Sequence, residues 1–309
     1  MNRNGTLHAL LSTARVANIP SVVSNVWVGV VLGVIHDLTG ESDFPWAGAG
    51  WLALAGVLLY IGGNFFNDWM DRAWDASHRP ERALPRGLFP PALYLGLAVC
   101  LTGAGTGLAW AGHARSGMVA GGIVFFIVIY TVWHKRTPWA VIPMGLCRAL
   151  LPVMGFVAFY PYVNDVWPIA LALLFYIAGL SLSARYEAMA EPPKWVGWTG
   201  RGLLLGAAVL AAYSNKEMYV SQFWGVVCTL PYLAWTDCCL RFWGNPVPKL
   251  VSRLLAGIPL VEWMVLLPLA VMAFQNPGAA PQFFALACFL VPPLAFVSAL
   301  LLQRVAPAT

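Results

Sequence analysis

Charge is what this sequence has least of. Only 10% of its 309 residues are Asp, Glu, Lys or Arg, and 60% are hydrophobic. A soluble domain carries about a quarter charged residues. The deficit leaves too little polar surface to coat a water-soluble globule, whereas a lipid-facing surface needs none. Cysteine is also sparse: Cys100, Cys147, Cys228, Cys238, Cys239 and Cys288 form no CxxC pair, and most sit in apolar runs. They read as small packing residues, so neither a structural disulfide nor a zinc site is expected. No long polar segment marks a soluble domain, and no internal repeat is evident. The net charge of +5 is not concentrated in a nucleic-acid-binding patch, so no nucleic-acid partner is expected.

Long apolar runs are abundant. Each crossing of a hydrocarbon core takes roughly 20 apolar residues. Candidates lie at 19–36, 47–68, 90–112, 118–134, 139–160, 167–186, 202–214, 219–240, 250–274 and 282–303. The seventh is short, which leaves nine or ten. The first is too long for the core of a signal peptide and is followed by no small-residue cleavage site. Unsatisfied backbone cannot face lipid, so these runs must be helices. The expected fold is all-α, a single polytopic transmembrane bundle over residues 1–309.

The connections alternate in charge. One set holds Arg3 and Arg15, then Arg72, Arg79, Arg82 and Arg86, then Lys135 and Arg136, then Arg185, Lys194 and Arg201, then Arg241, Lys249 and Arg253. The other set is acidic or weakly charged. The Lys/Arg-rich face is expected to be cytoplasmic. Trp46, Trp139, Trp167 and Trp243 fall near span ends, as an interfacial aromatic belt requires.

The informative segment follows the second run. Asn64, Asn67, Asp68, Asp71 and Asp75 recur at helical spacing and share one helix face. Acids at the end of a membrane helix are costly unless compensated, and they are functional candidates by default. Three carboxylates on one face repel one another, and a divalent cation removes that conflict. Hard oxygen ligands suit Mg2+, which takes one or two carboxylates together with substrate phosphates. Arg79, Arg82 and Arg86 follow, with guanidinium forks that match phosphate oxygens. An acid face and a basic loop are what a metal-bridged diphosphate needs.

These residues resemble the UbiA superfamily of intramembrane prenyltransferases. Its first Asp-rich motif, Asn-Asp-x-x-Asp-x-x-x-Asp, reads here Asn67, Asp68, Asp71 and Asp75. The Arg-Pro, Arg and Pro-x-Gly run that follows it appears as Arg79-Pro80, Arg82 and Pro85-Arg86-Gly87. The family's Tyr and Lys near the end of the fourth helix match Tyr130 and Lys135. Arg148, inside the apolar fifth helix, is expected to face the interior. Arg15, Asn18, Pro20 and Asn25 resemble the N-terminal pattern, with Asn25 either lining the cavity or bonding a neighbouring helix. The resemblance implies a bundle of about nine helices around a central cavity. It implies Mg2+-dependent transfer of a prenyl group from its diphosphate to an acceptor within the membrane. Asn67, Asp68, Asp71 and Asp75 would be the catalytic and metal residues. Asn25, Arg72, Arg79, Arg82, Tyr130, Lys135, Arg148, Arg185 and Glu187 would contact substrate. Aromatic faces such as Phe65, Phe66 or Tyr130 would stabilise an allylic cation. The setting implied is a bacterial inner membrane with the site on its cytoplasmic side.

The second Asp-rich motif departs from the pattern. At the end of the sixth helix the chain reads Ser181-Leu-Ser-Ala-Arg-Tyr-Glu187, leaving Glu187 as the lone carboxylate. This variant resembles an EboC-like branch. A second metal would lose most of its ligands, and Arg185 would contact the diphosphate instead. The alternative is a protein of the same fold that binds or transports a prenyl lipid without transferring it. A CDP-alcohol phosphotransferase lacks support, because the Asp-Gly and Ala-Arg context upstream of its last Asp pair is missing. The acceptor and the prenyl chain length are not encoded in these motifs.

The charge alternation makes a direct prediction. Cysteines introduced singly near Arg79, Lys135 and Arg185 should all be labelled from the same side of the membrane by an impermeant thiol reagent. Labelling of any one from the opposite side would overturn the topology.

Overall fold

In the computed structural model, the structure describes residues 3–37, 44–185, 193–214, 222–242, 247–275 and 282–306. Among them the regular structure is helical. The α-helices are α1 (Arg3–Thr13), α2 (Ile19–Asp37), α3 (Trp46–His78), α4 (Pro91–Gly112), α5 (Ala114–Trp133), α6 (Val141–Phe156), α7 (Trp167–Arg185), α8 (Lys194–Tyr213), α9 (Gln222–Phe242), α10 (Val247–Ala256), α11 (Ile258–Gln275) and α12 (Gln282–Leu302). Nine helical segments among the described residues are long and apolar enough to cross a membrane. Helix α9 is comparable in length but is not among the nine. The protein is an integral, multi-pass membrane protein.

Three boundaries differ from those expected. Helix α8 begins at Lys194 rather than near 202. Its first turns carry Trp195, Trp198 and Arg201, interfacial residues that an apolar scan passes over. The run expected at 250–274 is two helices, because the chain turns at Gly257 between α10 and α11. There Tyr176 Oη donates to the Leu254 carbonyl at 2.7 Å and Trp235 Nε1 donates to the Arg253 carbonyl at 3.1 Å. These side chains serve carbonyls near the end of α10. A Cβ at Gly257 would lie within 2.8 Å of both side chains, so the turn requires glycine. The third difference is α3, whose 33 residues at 1.5 Å each span about 50 Å. The hydrocarbon core is about 30 Å thick. The helix is thus longer than the core requires, and its final turns carry the acid face.

Helix α2 runs against α6 with almost no side chain between them. A Cβ on Gly29 would sit 1.9 Å from the Pro152 carbonyl oxygen, and one on Gly155 would sit 2.5 Å from the Val26 carbonyl oxygen. Small residues at such crossings let membrane helices approach closely. The approach brings the polar side of α2 within reach of Arg148 on α6. At the end opposite the acid face, Trp27 stacks on Trp46 at 5.7 Å, with Phe44 and Phe283 beside them. Across that end, His36 Nε2 lies 3.6 Å from Asp165.

The α2–α6 crossing can be tested by adding one methyl group. Gly29→Ala should destabilise the protein by about 1–3 kcal/mol, the usual cost of overpacking, read as a lower thermal midpoint in detergent. Gly50→Ala, on α3 where no atom lies within 4 Å, is the control and should leave the midpoint unchanged. Equal midpoints for the two variants would contradict the close crossing.

Candidate functional site

The acid face is assembled on one helix and neutralised by three other parts of the chain. Asn64, Asn67, Asp71 and Asp75 are buried, and the Asp68 side chain is only 13% exposed. After α3 the chain turns back on itself, and Arg82 Nη1 reaches both Asp68 at 3.3 Å and Asp75 at 2.9 Å. From the end of α5, Lys135 Nζ lies 2.9 Å from Asp71 Oδ1, and His134 Nε2 lies 3.1 Å from Asp71 Oδ2. Lys135 also sits over the Trp74 ring at 3.7 Å. Asn67 Nδ2 donates to Asp71 at 3.4 Å.

The N-terminal segment closes the third side. Asn64 Nδ2 donates to the Ala14 carbonyl at 3.3 Å, and Thr13 and Tyr94 share a hydrogen bond of 2.9 Å. Between α1 and α2, Arg15 adopts a left-handed backbone conformation with φ 47°. That region is unfavourable for a residue with a Cβ and persists only where its surroundings enforce it. Burial acts to lower the Arg15 pKa, but Asp68, Tyr60, Tyr130 and Asp71 raise it above its ordinary value. Arg15 is half-buried and lies within electrostatic reach of the acid face.

Two oxygens in this cluster stand out. Asn67 Oδ1 and Asp75 Oδ1 are buried, and among the described residues neither has a hydrogen-bond partner. Buried polar atoms are nearly always paired, so a pair of orphaned hard oxygens on one helix face calls for a ligand. Among the described residues, no three His, Cys, Asp or Glu side chains form a ready-made metal cage. Arg82, Lys135 and His134 instead engage the carboxylates directly.

The structure separates the expected contact residues. Arg82 and Lys135 join the acids, and Tyr130 lies beside them with its ring 5.1 Å from His134. Arg72 does not join them. It is exposed, donates to the Trp69 carbonyl at 2.7 Å and covers the Trp69 ring. One step along a helix from Asp71 turns a side chain by about 100°, away from the acid face. Arg79 is exposed at the end of α3. Phe65 packs edge-on to Tyr94 at 4.9 Å, on the α4 side of α3, so it is not a face for a cation in the interior. Arg185 ends α7, with its side chain outside the described part. Glu187 lies outside the described residues.

A second polar cluster lies deeper. Arg148 Nη1 donates to Asn25 Oδ1 at 2.9 Å and to Ser21 Oγ at 3.1 Å. Asn25 Nδ2 and Ser24 Oγ donate to the two oxygens of Glu262, which is fully buried. Asn25 is thus an interhelical hydrogen-bond partner joining α2, α6 and α11, the second of its two expected roles. Two outer grooves are apolar. One is lined by Pro231, Trp235, Trp263 and Phe296, the other by Val16, Pro20 and Leu294. Neither touches the acid face.

The model of the UbiA prenyltransferase family matches residues 26–191, which include the acid face, Lys135 and Arg148. The chain belongs to the UbiA prenyltransferase family. Among its relatives is a protoheme IX farnesyltransferase from Pyrobaculum neutrophilum, 32% identical over 37% of this chain and 42% of the relative. A protoheme IX farnesyltransferase from Rhizobium rhizogenes is 27% identical over 58% of this chain and 62% of the relative. The chain thus matches less than two thirds of these relatives' length. Its fold resembles a structure from work on digeranylgeranylglyceryl phosphate synthase in membranes, with a TM-score of 0.51 at 17% identity, covering 98% of this chain and 99% of the other. It also resembles an apo structure of a UbiA homolog from Aeropyrum pernix K1, with a TM-score of 0.50 at 14% identity, covering 93% and 98%. At these identities the likeness is one of fold.

Proposed function

We propose that the chain transfers a prenyl group from a prenyl diphosphate to an acceptor inside the membrane. The diphosphate would bind at the acid face of α3, with Mg2+ between acid and phosphate. The observation that carries this reading is the pair of buried, unpartnered oxygens of Asn67 and Asp75 beside Asp68 and Asp71. Asn67, Asp68, Asp71 and Asp75 are hard oxygen donors of the kind Mg2+ takes. Bound there, Mg2+ would neutralise charge on the leaving diphosphate.

Charge balance argues for a cation arriving with the substrate. Asp68, Asp71 and Asp75 are matched by Arg82, Lys135 and Arg15, so the cluster is near neutral by itself. A polyanionic diphosphate would enter it unfavourably without added positive charge. Arg82 and Lys135 already lie at the acid face. They could transfer their donors from carboxylate to phosphate, and so stabilise the charge that develops as the allylic C–O bond breaks. Tyr130 and Phe66 offer aromatic faces to the allylic cation. The apolar helices below exclude water that would capture it. The printed activity of the curated relatives makes protoheme IX the first acceptor to test and farnesyl diphosphate the first donor. The Lys/Arg-rich connections support a cytoplasmic position for this end of the bundle.

The second reading is a prenyl-lipid binder without transferase activity. It is favoured by the sequence at 181–187, where Glu187 is the lone carboxylate left of the family's second set of acids.

Calorimetric titration of farnesyl diphosphate with and without Mg2+ tests the site. Asp68→Ala, Asp71→Ala and Asp75→Ala should each weaken the Mg2+-dependent binding by roughly 10- to 100-fold, as loss of a metal ligand or its support does. Unchanged affinity in all three would mean that the acid face is structural.

A further inference from the structure

The Arg148 cluster has a geometry that a simple helix strut does not need. Arg148 is 7% exposed and Glu262 is 0% exposed, and an acid and a base this close would ordinarily pair fork to fork. Here Asn25 stands between them. Its carbonyl oxygen accepts from Arg148, and its amide nitrogen donates to Glu262. Ser21 accepts from the same guanidinium nitrogen, Nη1. The guanidinium carbon lies 5.0 Å from the Tyr60 ring, and Asn18 donates to the Tyr60 hydroxyl at 3.0 Å. The guanidinium is thus held by one nitrogen and one ring face. Among the described residues, Nε and Nη2 donate to no partner.

That free edge is a planar pair of N–H groups carrying positive charge, in a low-dielectric interior. A carboxylate matches it bidentately. Position separates it from the diphosphate site. Tyr60 precedes Asp68 by eight residues on α3, which is about 12 Å along the helix axis. Arg82 and Lys135 already serve anions at the acid face, so Arg148 is left for a second, deeper anion.

We propose that Arg148 binds a carboxylate of the acceptor, and that Asn25 and Glu262 are positioning residues that keep its free edge open. This rests on the prenyl-transfer reading above. The donor diphosphate sits at the acid face, and the acceptor is anchored below it, with its reacting atom between the two anchors. Asn25 is the separator: without it Arg148 is free to turn its fork onto Glu262.

The test uses the purified full chain in detergent and a matched pair of probes, protoheme IX and its dimethyl ester, in which the propionates are capped. Binding is followed by the change in haem absorbance. The wild type should bind the acid about tenfold or more tightly than the ester, since a site built for a polar group rejects the analogue lacking it. Arg148→Gln should bring the two affinities together. Arg148→Lys, with charge but no fork, should keep only part of the preference. Asn25→Ala should reduce the preference while leaving Arg148 in place. The ratio of acid to ester is what is read, because damage to the fold weakens both probes alike. Mg2+-dependent binding of inorganic diphosphate to the same variants reports the donor site separately and should persist in Arg148→Gln. If the wild type fails to bind diphosphate, the prenyl-transfer reading is at fault. Equal affinity of the wild type for acid and ester, or binding of neither, overturns the acceptor proposal whatever diphosphate does.

Discussion

Three carboxylates on one face of one helix, at the edge of a membrane, set the terms for the rest of this end of the molecule. The helical period forces Asp68, Asp71 and Asp75 together, and an apolar surround makes their uncompensated charge expensive. The chain answers from three directions. Arg82 folds back from the turn after α3, Lys135 and His134 arrive from the end of α5, and Arg15 is held in a left-handed conformation between α1 and α2. Each cation also fixes a connection, so the acid face organises the loops around it. The same pairing leaves Asn67 Oδ1 and Asp75 Oδ1 buried and unmatched. The site is balanced in charge but incomplete in hydrogen bonding, which suits a ligand that brings both phosphate and metal.

The second constraint lies deeper and is met by α2. Asn18 just before α2, with Ser21, Ser24 and Asn25 within it, forms a polar stripe on an otherwise apolar helix. The stripe is served by Tyr60, Arg148 and Glu262 from α3, α6 and α11. Contact at this distance depends on the α2–α6 crossing, where Gly29 and Gly155 let backbone meet backbone. Packing and polar chemistry are therefore coupled: a methyl group at the crossing would move the helix that positions Arg148.

Much of this was legible in the sequence because it rests on period and composition. The bundle and the shared face of Asn67, Asp68, Asp71 and Asp75 follow from the 3.6-residue repeat. The interior position of Arg148 follows from a charge that an apolar setting cannot leave alone, whereas Lys135 is expected from the sequence only as a substrate contact, and its pairing with Asp71 comes from the structure. What was not legible depends on contacts far apart in the chain. His134 shows no metal-ligand spacing, yet it meets Asp71 because α5 ends beside α3; its neighbour Lys135 was the available signal. Glu262 lies 237 residues from Asn25, and only packing brings them together. Arg72 sits within the motif run but faces outward, a distinction that helical phase alone could have made. The start of α8 and the turn at Gly257 were hidden by averaging hydropathy over interfacial Trp and over a single glycine.

Activation of a prenyl diphosphate for transfer at the α3 acid face is open to direct measurement. The most direct measurement is incubation of the purified protein with prenyl diphosphates of several lengths, labelled in the prenyl chain, together with Mg2+ and protoheme IX, followed by separation of the products. The expected result is Mg2+-dependent release of diphosphate, with the label recovered on the acceptor for at least one chain length. Recovery of every labelled prenyl diphosphate intact, although bound, would contradict it and identify the protein as a binder.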